Sequence, residues 1–237
     1  MHKEKAQERG LKIISFGLNK KADIGLMTIK KKNKYFKISV RIFNHKKYFY
    51  IKNKNQNNIY NILASIGIIW SLGNKEKLSI NLFSKLETPE GRGDISKIKL
   101  NQKKFYLIDE SYNSNPLSME SAINNYNLIK LKKNKKHFLM GDMLELGKLS
   151  KKLHVSLAKN INSSSIDKLH VFGRFAKETL KNIKNTKKGK YLTGVNQIND
   201  LIIKELNNND YLMVKGSNST GLNQFLIKLK DNKTNAL

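Results

Sequence analysis

Apolar and polar positions along the chain fall into two unequal parts. In residues 24–30, 35–43 and 48–52 they alternate, as in Ile24-Gly25-Leu26-Met27-Thr28-Ile29-Lys30, which predicts antiparallel strands with Asn44-His45-Lys46 as a turn. A helical turn and a strand over 12–16, closed by Gly17, come before them. Two helices follow: 58–72, stopped at Gly73, and 77–86, ended ahead of Pro89, which disfavours helix in the residue before it. Thr88-Pro89-Glu90-Gly91-Arg92-Gly93 reads as a linker, dividing the chain into residues 1–90 and 91–237. Beyond it, strand patterns at 95–100, 104–108, 137–140, 169–172 and 211–214 separate helical ones at 117–131, 151–161, 175–183, 198–206 and 220–229. That alternation predicts an α/β fold with a mostly parallel sheet and right-handed crossovers.

Two of these strands deliver polar loops. One ends in Asp109-Glu110-Ser111-Tyr112-Asn113-Ser114-Asn115-Pro116, the other in Gly141-Asp142-Met143-Leu144-Glu145-Leu146-Gly147. In an open α/β sheet ligands bind outside the carboxyl ends of strands, so the local reading is a ligand crevice. Asp109 and Glu110, being adjacent on a strand, face opposite ways, so one is free to meet a ribose hydroxyl; the alternative is an acidic turn. Tyr112, Asn113 and Asn115 stand in the same loop, where Asn and Pro also suit a turn without a ligand. Asp142 and Glu145 offer carboxylates for a substrate amine, or a cap for the helix near Ser150. Lys215 and Ser217, between an apolar strand and a helix, suit a phosphate or carboxylate. Arg92, flanked by glycines, suits a two-pronged phosphate contact or a plain hinge. Asn58 and Asn61, three apart on a helix, present amides to an adenine edge or cap the helix. His154 reads as a packing residue rather than a catalytic one.

Composition changes the picture less than its size suggests. The formal charge is +28, from 46 Lys plus Arg against 18 Asp plus Glu. Arginine occurs only at Arg9, Arg41, Arg92 and Arg174, while lysine runs from end to end among Asn and Ile, the residues of A/T-rich codons. The charge therefore reads as composition on solvated faces, with no nucleic-acid partner expected. The longest apolar run, 62–72, is too short and interrupted to span a bilayer, so no membrane insertion is expected. Without cysteine or an apolar leader, a reducing cytoplasm is the default location.

Taken in order, Asp-Glu-Ser-Tyr-Asn-Ser-Asn-Pro at 109–116, Gly-Asp-Met-Leu-Glu-Leu-Gly at 141–147, His154 and Val214-Lys215-Gly216-Ser217 resemble the Mur ligases. The wording is nearest to those members that add D-alanyl-D-alanine to UDP-N-acetylmuramoyl-tripeptide. The resemblance implies an ATP-dependent amide ligase of peptidoglycan precursor synthesis, working with magnesium through an acyl phosphate and monomeric at full length. It places ATP at Asn58, Asn61, Arg92, Asp109 and Glu110, and the amino-acid substrate at Tyr112, Asn113, Asn115, Asp142, Glu145, Lys215 and Ser217. It also implies that residues 1–90 correspond to the end of the central ATPase domain and 91–237 to a Rossmann-like C-terminal domain. The chain departs from the family wording at Asn55, Asn57, Glu110 and Asn218, where Gly, His, Asp and Arg are usual. No Gly-x-x-Gly-Lys-Ser/Thr phosphate loop and no metal-ligand set is found in these residues. The expectation is therefore a truncated form that does not transfer the phosphoryl group alone. The alternatives are another Mur-type or folylpolyglutamate synthase-type ligase, or a non-catalytic basic α/β binding module.

Overall fold

The computed structural model describes residues 2–19, 21–87 and 89–231; Thr88, at the head of the expected linker, lies outside them. Two compact units emerge, Met1–Thr88 and Pro89–Leu237.

In the first unit, α1 (His2–Glu8) precedes β1 (Phe16–Gly17), β2 (Ile24–Lys32), β3 (Tyr35–Ile42), β4 (His45–Ile51) and α2 (Gln56–Ser71). The sheet runs β1-β2-β3-β4, with β1 parallel to β2 and the other pairs antiparallel. Alternation puts Ile38, Val40 and Ile42 of β3 and Phe49 and Ile51 of β4 on the face that packs on Ile59, Ile62, Leu63 and Ile66 of α2. The α2 start is set by Asn55, whose side chain accepts from the Asn57 amide at 2.8 Å.

Three expectations need correction here. The first strand shrinks to two residues, because Ser15 turns aside to donate its amide and hydroxyl to the Asp23 carboxylate. The β3–β4 turn is centred on Phe43, in the left-handed region at φ 51°, and His45 and Lys46 already belong to β4. The helix expected over 77–86 does not form. A short 3₁₀ turn at Lys75–Lys77 leads instead into turns, which allow Leu78 and Phe83 to reach the sheet core and the Ile80 carbonyl to accept the Tyr50 amide of edge strand β4 at 2.9 Å. The Ser84 hydroxyl, bonding back to the Asn81 carbonyl, competes with a helix in the same stretch.

The second unit holds β5 (Asp94–Leu100), β6 (Lys103–Glu110), α3 (Pro116–Leu128), β7 (Lys136–Gly141), α4 (Ser150–Ser163), β8 (Lys168–Phe172), α5 (Ala176–Lys181), β9 (Lys188–Leu192), α6 (Gln197–Glu205), β10 (Tyr211–Lys215) and α7 (Leu222–Asp231). The strand order is β5-β6-β10-β7-β8-β9, and β5 alone runs antiparallel. Helices α3, α4 and α5 cover one face through Met119, Ile123, Leu157, Ile161 and Ala176. Helices α6 and α7 cover the other through Ile198, Leu201, Leu222 and Leu226. Strand β10 fills the lane that the β6–α3–β7 crossover leaves open. Loops after β6 and β7 therefore lead to one face and the loop after β10 to the other, which opens a crevice at the strand ends.

Strand β9 has no counterpart in the expected elements. Its sequence, Lys-Gly-Lys-Tyr-Leu, buries only Leu192, since it is an edge strand. Gly189 is required there because a Cβ would stand 2.5 Å from His170 Nδ1.

At the far end of the sheet lies a buried polar chain. The Lys190 amide donates to His170 Nδ1 at 3.0 Å, so the His170 proton is on Nε2, facing His137 Nδ1 at 3.1 Å. The His137 proton is then on Nε2, 3.5 Å from Asp210 Oδ2. Burial, followed by the neighbouring His137, Lys168 and Lys190, pushes His170 down to about 3. Burial also lowers His137, against the pull of Asp210. Because these folded values lie below the unfolded 6.5, the unfolded chain binds more protons in acid. Stability is thus full above pH 6.5 and falls as pH drops through it. Urea midpoints between pH 6.5 and about 5 should give a loss of up to about 1.4 kcal/mol per pH unit for each buried histidine. His170→Leu should flatten that slope; an unchanged slope refutes the assignment.

Candidate active site

Strands β6, β7 and β10 end side by side, with Lys215 in register with Glu110 on one flank and Met140 on the other. Lys215 is deeply buried, at 2 % exposure. Its Nζ donates to the Asn113 carbonyl at 2.9 Å and lies 3.6 Å from Glu110 Oε2. Burial lowers the Lys215 ammonium despite Glu110, with Arg92 adding to the fall. Burial raises Glu110 despite Lys215. Desolvation thus outweighs the pairing on both sides, leaving an ammonium whose charge an incoming anion would stabilise.

Asp109 and Glu110 have separate fates, as their alternation implies. Asp109 is fully buried: Oδ1 accepts the Ser111 amide and hydroxyl at 3.0 and 2.6 Å, and Oδ2 accepts Lys230 Nζ of α7 at 2.6 Å. Lys230 also holds Asp94 Oδ2 at 2.7 Å. The Asp109 carboxylate is therefore engaged by the fold, and Glu110 is the one turned to the crevice. Sequence reasoning misses Lys230 and Asp94: Lys230 stands 121 positions from Asp109, and no local pattern joins the three.

Arg92 is exposed, and its guanidinium carbon lies 4.4 Å from the centre of the Tyr112 ring, a cation–π contact. That approach requires Gly91: at φ 72°, a Cβ there would come within 2.9 Å of the Tyr112 backbone and side chain. The Tyr112 amide donates to the Gly91 carbonyl at 3.1 Å, and the Gly93 amide to the Asp109 carbonyl at 2.7 Å. Arg92 is thereby fastened to the loop after β6 rather than to a free hinge.

In that loop, Asn113 Oδ1 accepts the Ser114 amide, and Asn115 caps α3 in a reciprocal pair with Ser118. The turn and cap readings account for both side chains, while the Asn113 carbonyl holds Lys215. Tyr112 and Asn113 are exposed. Ser114 Oγ is buried without a hydrogen-bond partner among the described residues.

The loop after β7 differs from expectation in one respect. Asp142 does not cap α4; its Oδ1 accepts the Phe175 and Ala176 amides at 3.0 and 2.7 Å, at the start of α5. Gly173 makes room, since a Cβ would fall 2.5 Å from that carboxyl carbon. His154 is fully buried and structural: Nδ1 faces the Ser150 carbonyl at 2.7 Å and Nε2 accepts the Met143 amide at 2.9 Å. Burial lowers its pKa and keeps the imidazole neutral. Ser217 Oγ accepts the Leu144 amide at 2.9 Å, tying the loops after β7 and β10 together. Glu145 presents an exposed carboxylate, on a backbone of φ 63° that a non-glycine residue occupies at some cost.

Asn58 and Asn61 belong to the first unit. Asn58 Nδ2 donates to the Asn53 carbonyl at 2.9 Å, Asn61 is exposed, and the cap of α2 is Asn55.

The family model described as "Mur ligase, glutamate ligase domain" matches residues 96–218, more than half of the 237. The chain belongs to the Mur ligase family. The UDP-N-acetylmuramoyl-tripeptide–D-alanyl-D-alanine ligase of Buchnera aphidicola from Acyrthosiphon pisum is 32% identical over 166 residues, 69% of this chain and 34% of that protein. The Rickettsia prowazekii ligase of the same name is 26% identical over 170 residues, 72% of this chain and 36% of its own length. Among solved structures, the MurF ligase of Thermotoga maritima in complex with ADP superposes with a TM-score of 0.75 at 22% identity, covering 98% of this chain and 52% of that one. A MurF structure from Acinetobacter baumannii gives 0.75 at 22%, covering 96% and 49%. This Mur ligase chain thus spans about a third of the length of the curated relatives it matches.

Within this Mur ligase fold two positions offer direct tests. Lys230→Met leaves Asp109 buried without its ammonium and should cost about 3 kcal/mol in chemical denaturation; a cost near zero would show that the clamp is idle. Gly173→Ala forces Asp142 off the α5 amides and should cost about 2 kcal/mol, measured by the same denaturation.

Proposed function

We propose that the chain furnishes the amino-acid-accepting part of an ATP-dependent amide ligase that joins D-alanyl-D-alanine to UDP-N-acetylmuramoyl-tripeptide. Residues 1–90 would be the end of its central ATP-binding domain and 91–237 its C-terminal domain. The observation that carries this reading is the convergence of three motif loops, after β6, β7 and β10, around the buried Lys215. The names of the curated relatives support the substrate pair, and the ADP bound to the Thermotoga maritima structure supports ATP.

In the proposed reaction the tripeptide carboxylate is first phosphorylated by ATP. The dipeptide amine then attacks the acyl phosphate, and phosphate departs as the amide forms. Arg92, pinned against Tyr112, meets the phosphates and Glu110 reaches the ribose, while Asn58 and Asn61 of the first unit are assigned to the adenine by the family resemblance alone. Lys215 and Ser217 receive the dipeptide carboxylate. Glu145 meets its amine, while Asp142 acts by holding the loop that carries Glu145. Catalysis of this sort is mostly positioning and charge stabilisation. Magnesium, which the family resemblance implies, has no ready cage: among the described residues no three His, Asp or Glu side chains are grouped to hold an ion. The roles given to these residues do not run through it.

The test is an NMR titration of the 237-residue chain with ADP and, separately, D-alanyl-D-alanine. Amide shifts from ADP should include residues 91–93 and 109–113, and Arg92→Ala should weaken that binding about tenfold. Shifts from the dipeptide should cluster at residues 142–147 and 215–220, and Glu145→Gln should weaken it about tenfold. Shifts scattered over other loops, or none at all with either compound, would refute the assignment.

A further inference from the structure

Folding segregates the charge in a way that the even spread of lysine conceals. Between Ile24 and Lys75 the sequence contains no Asp or Glu, and β2, β3 and β4 all come from that stretch. Residues directly opposite on paired strands share a face. The face turned away from α2 therefore carries the rows Thr28–Ser39–Tyr48, Lys30–Lys37–Tyr50 and Lys32–Tyr35, with Lys46 beside Arg41. Arg41 donates to the Ala22 carbonyl at 2.6 Å, which leaves the lysines as the reaching cations. Lys52, just past β4, is held by Glu87 at 2.6 Å and is not among them.

Shallow clefts mark this face. One of about 300 Å³ is lined by Thr28, Lys30, Lys37, Ser39, Lys46 and Tyr48. Another, of about 510 Å³, lies between Tyr35 and Tyr50 and the β2–β3 turn. The Lys37 and Lys46 ammoniums stand 4.3 and 5.4 Å from the Tyr48 ring centre. Tyr48 and Tyr50, two apart on β4, project to the same side about 6.8 Å from each other. A sheet face whose strands interleave lysines with tyrosine rings and bear no carboxylate complements a strand of phosphates with bases free to stack. A lipid surface is matched less well, since apart from Met27 at the β2 bulge the outward residues are Lys, Arg, Thr, Ser, Tyr and Gly rather than large aliphatic side chains.

We propose that the outer face of the β2–β3–β4 sheet docks single-stranded nucleic acid, through Lys30, Lys37 and Lys46 to phosphates and Tyr48 to a base. This activity is separate from the crevice of the second unit.

The experiment is fluorescence anisotropy of a labelled uridine dodecamer with the full 237-residue chain, from about 50 to about 300 mM NaCl. Lys30→Gln/Lys37→Gln/Lys46→Gln should weaken binding at least about tenfold and lower the salt slope by about 2, near 0.7 for each phosphate no longer neutralised. Tyr48→Leu should weaken it about tenfold. Lys132→Gln/Lys133→Gln/Lys148→Gln, in the second unit, should leave affinity within about twofold and serves as the control for net charge. Circular dichroism and thermal midpoints confirm that each variant is folded. Equal weakening by the control triple, absence of binding at about 100 mM NaCl, or capture of phosphatidylserine vesicles but not RNA by the same three lysines would each overturn the proposal.

Discussion

The crevice depends on the insertion of β10 between β6 and β7. Parallel pairing on both sides fixes the height of Lys215 to within a residue, and with it the distance to Glu110 and to the Asn113 carbonyl. Had β10 joined an edge of the sheet instead, Lys215 would have kept its water and the loops after β6 and β7 would have lacked the Ser217 bridge to Leu144 and to the Ser114 carbonyl. The helices follow from the same strand order: the right-handed connections β6–β7, β7–β8 and β8–β9 advance in one direction and put α3, α4 and α5 on one face, while the return from β9 to β10 puts α6, and then α7, on the other.

Electrostatics then divides the acids of the site by their surroundings. Asp109 is deep, yet it accepts two bonds from Ser111 and one from Lys230, so its charge is satisfied within the fold. Glu110, one residue on, has Lys215 at a longer 3.6 Å, and burial raises it while lowering its partner. A pair held in that under-satisfied state responds to a ligand, whereas a satisfied pair does not. Asp142 belongs with Asp109, being committed to backbone amides, and Glu145, out in solvent, with Glu110.

The basic composition has a different spatial logic. Lysine is abundant everywhere, so its positions alone distinguish no surface. The acids do, because they are missing from the three antiparallel strands of the first unit. Net charge is a statement about the whole chain; the local field is decided by where neutralising partners are absent.

Periodicity by itself determined most of the architecture: strands β2 to β8 and β10 and helices α2 to α7 are legible because each must bury one face or stripe, and that need is written locally in the order of apolar residues. The two polar loops are legible for a similar reason, as acids and amides directly following apolar strands. Elements without a buried stripe are not. Strand β9 buries one residue of five, Leu192, and residues 77–86 carry a helix-like pattern that pairing of Ile80 with Tyr50 overrides. Only the tertiary structure decided which acid faces the crevice, that Asp142 caps α5 rather than α4, and that Lys230 reaches back 121 residues to Asp109. Those outcomes depend on which strand lies beside which, and a hydrogen bond between distant residues leaves no trace in the spacing of either one.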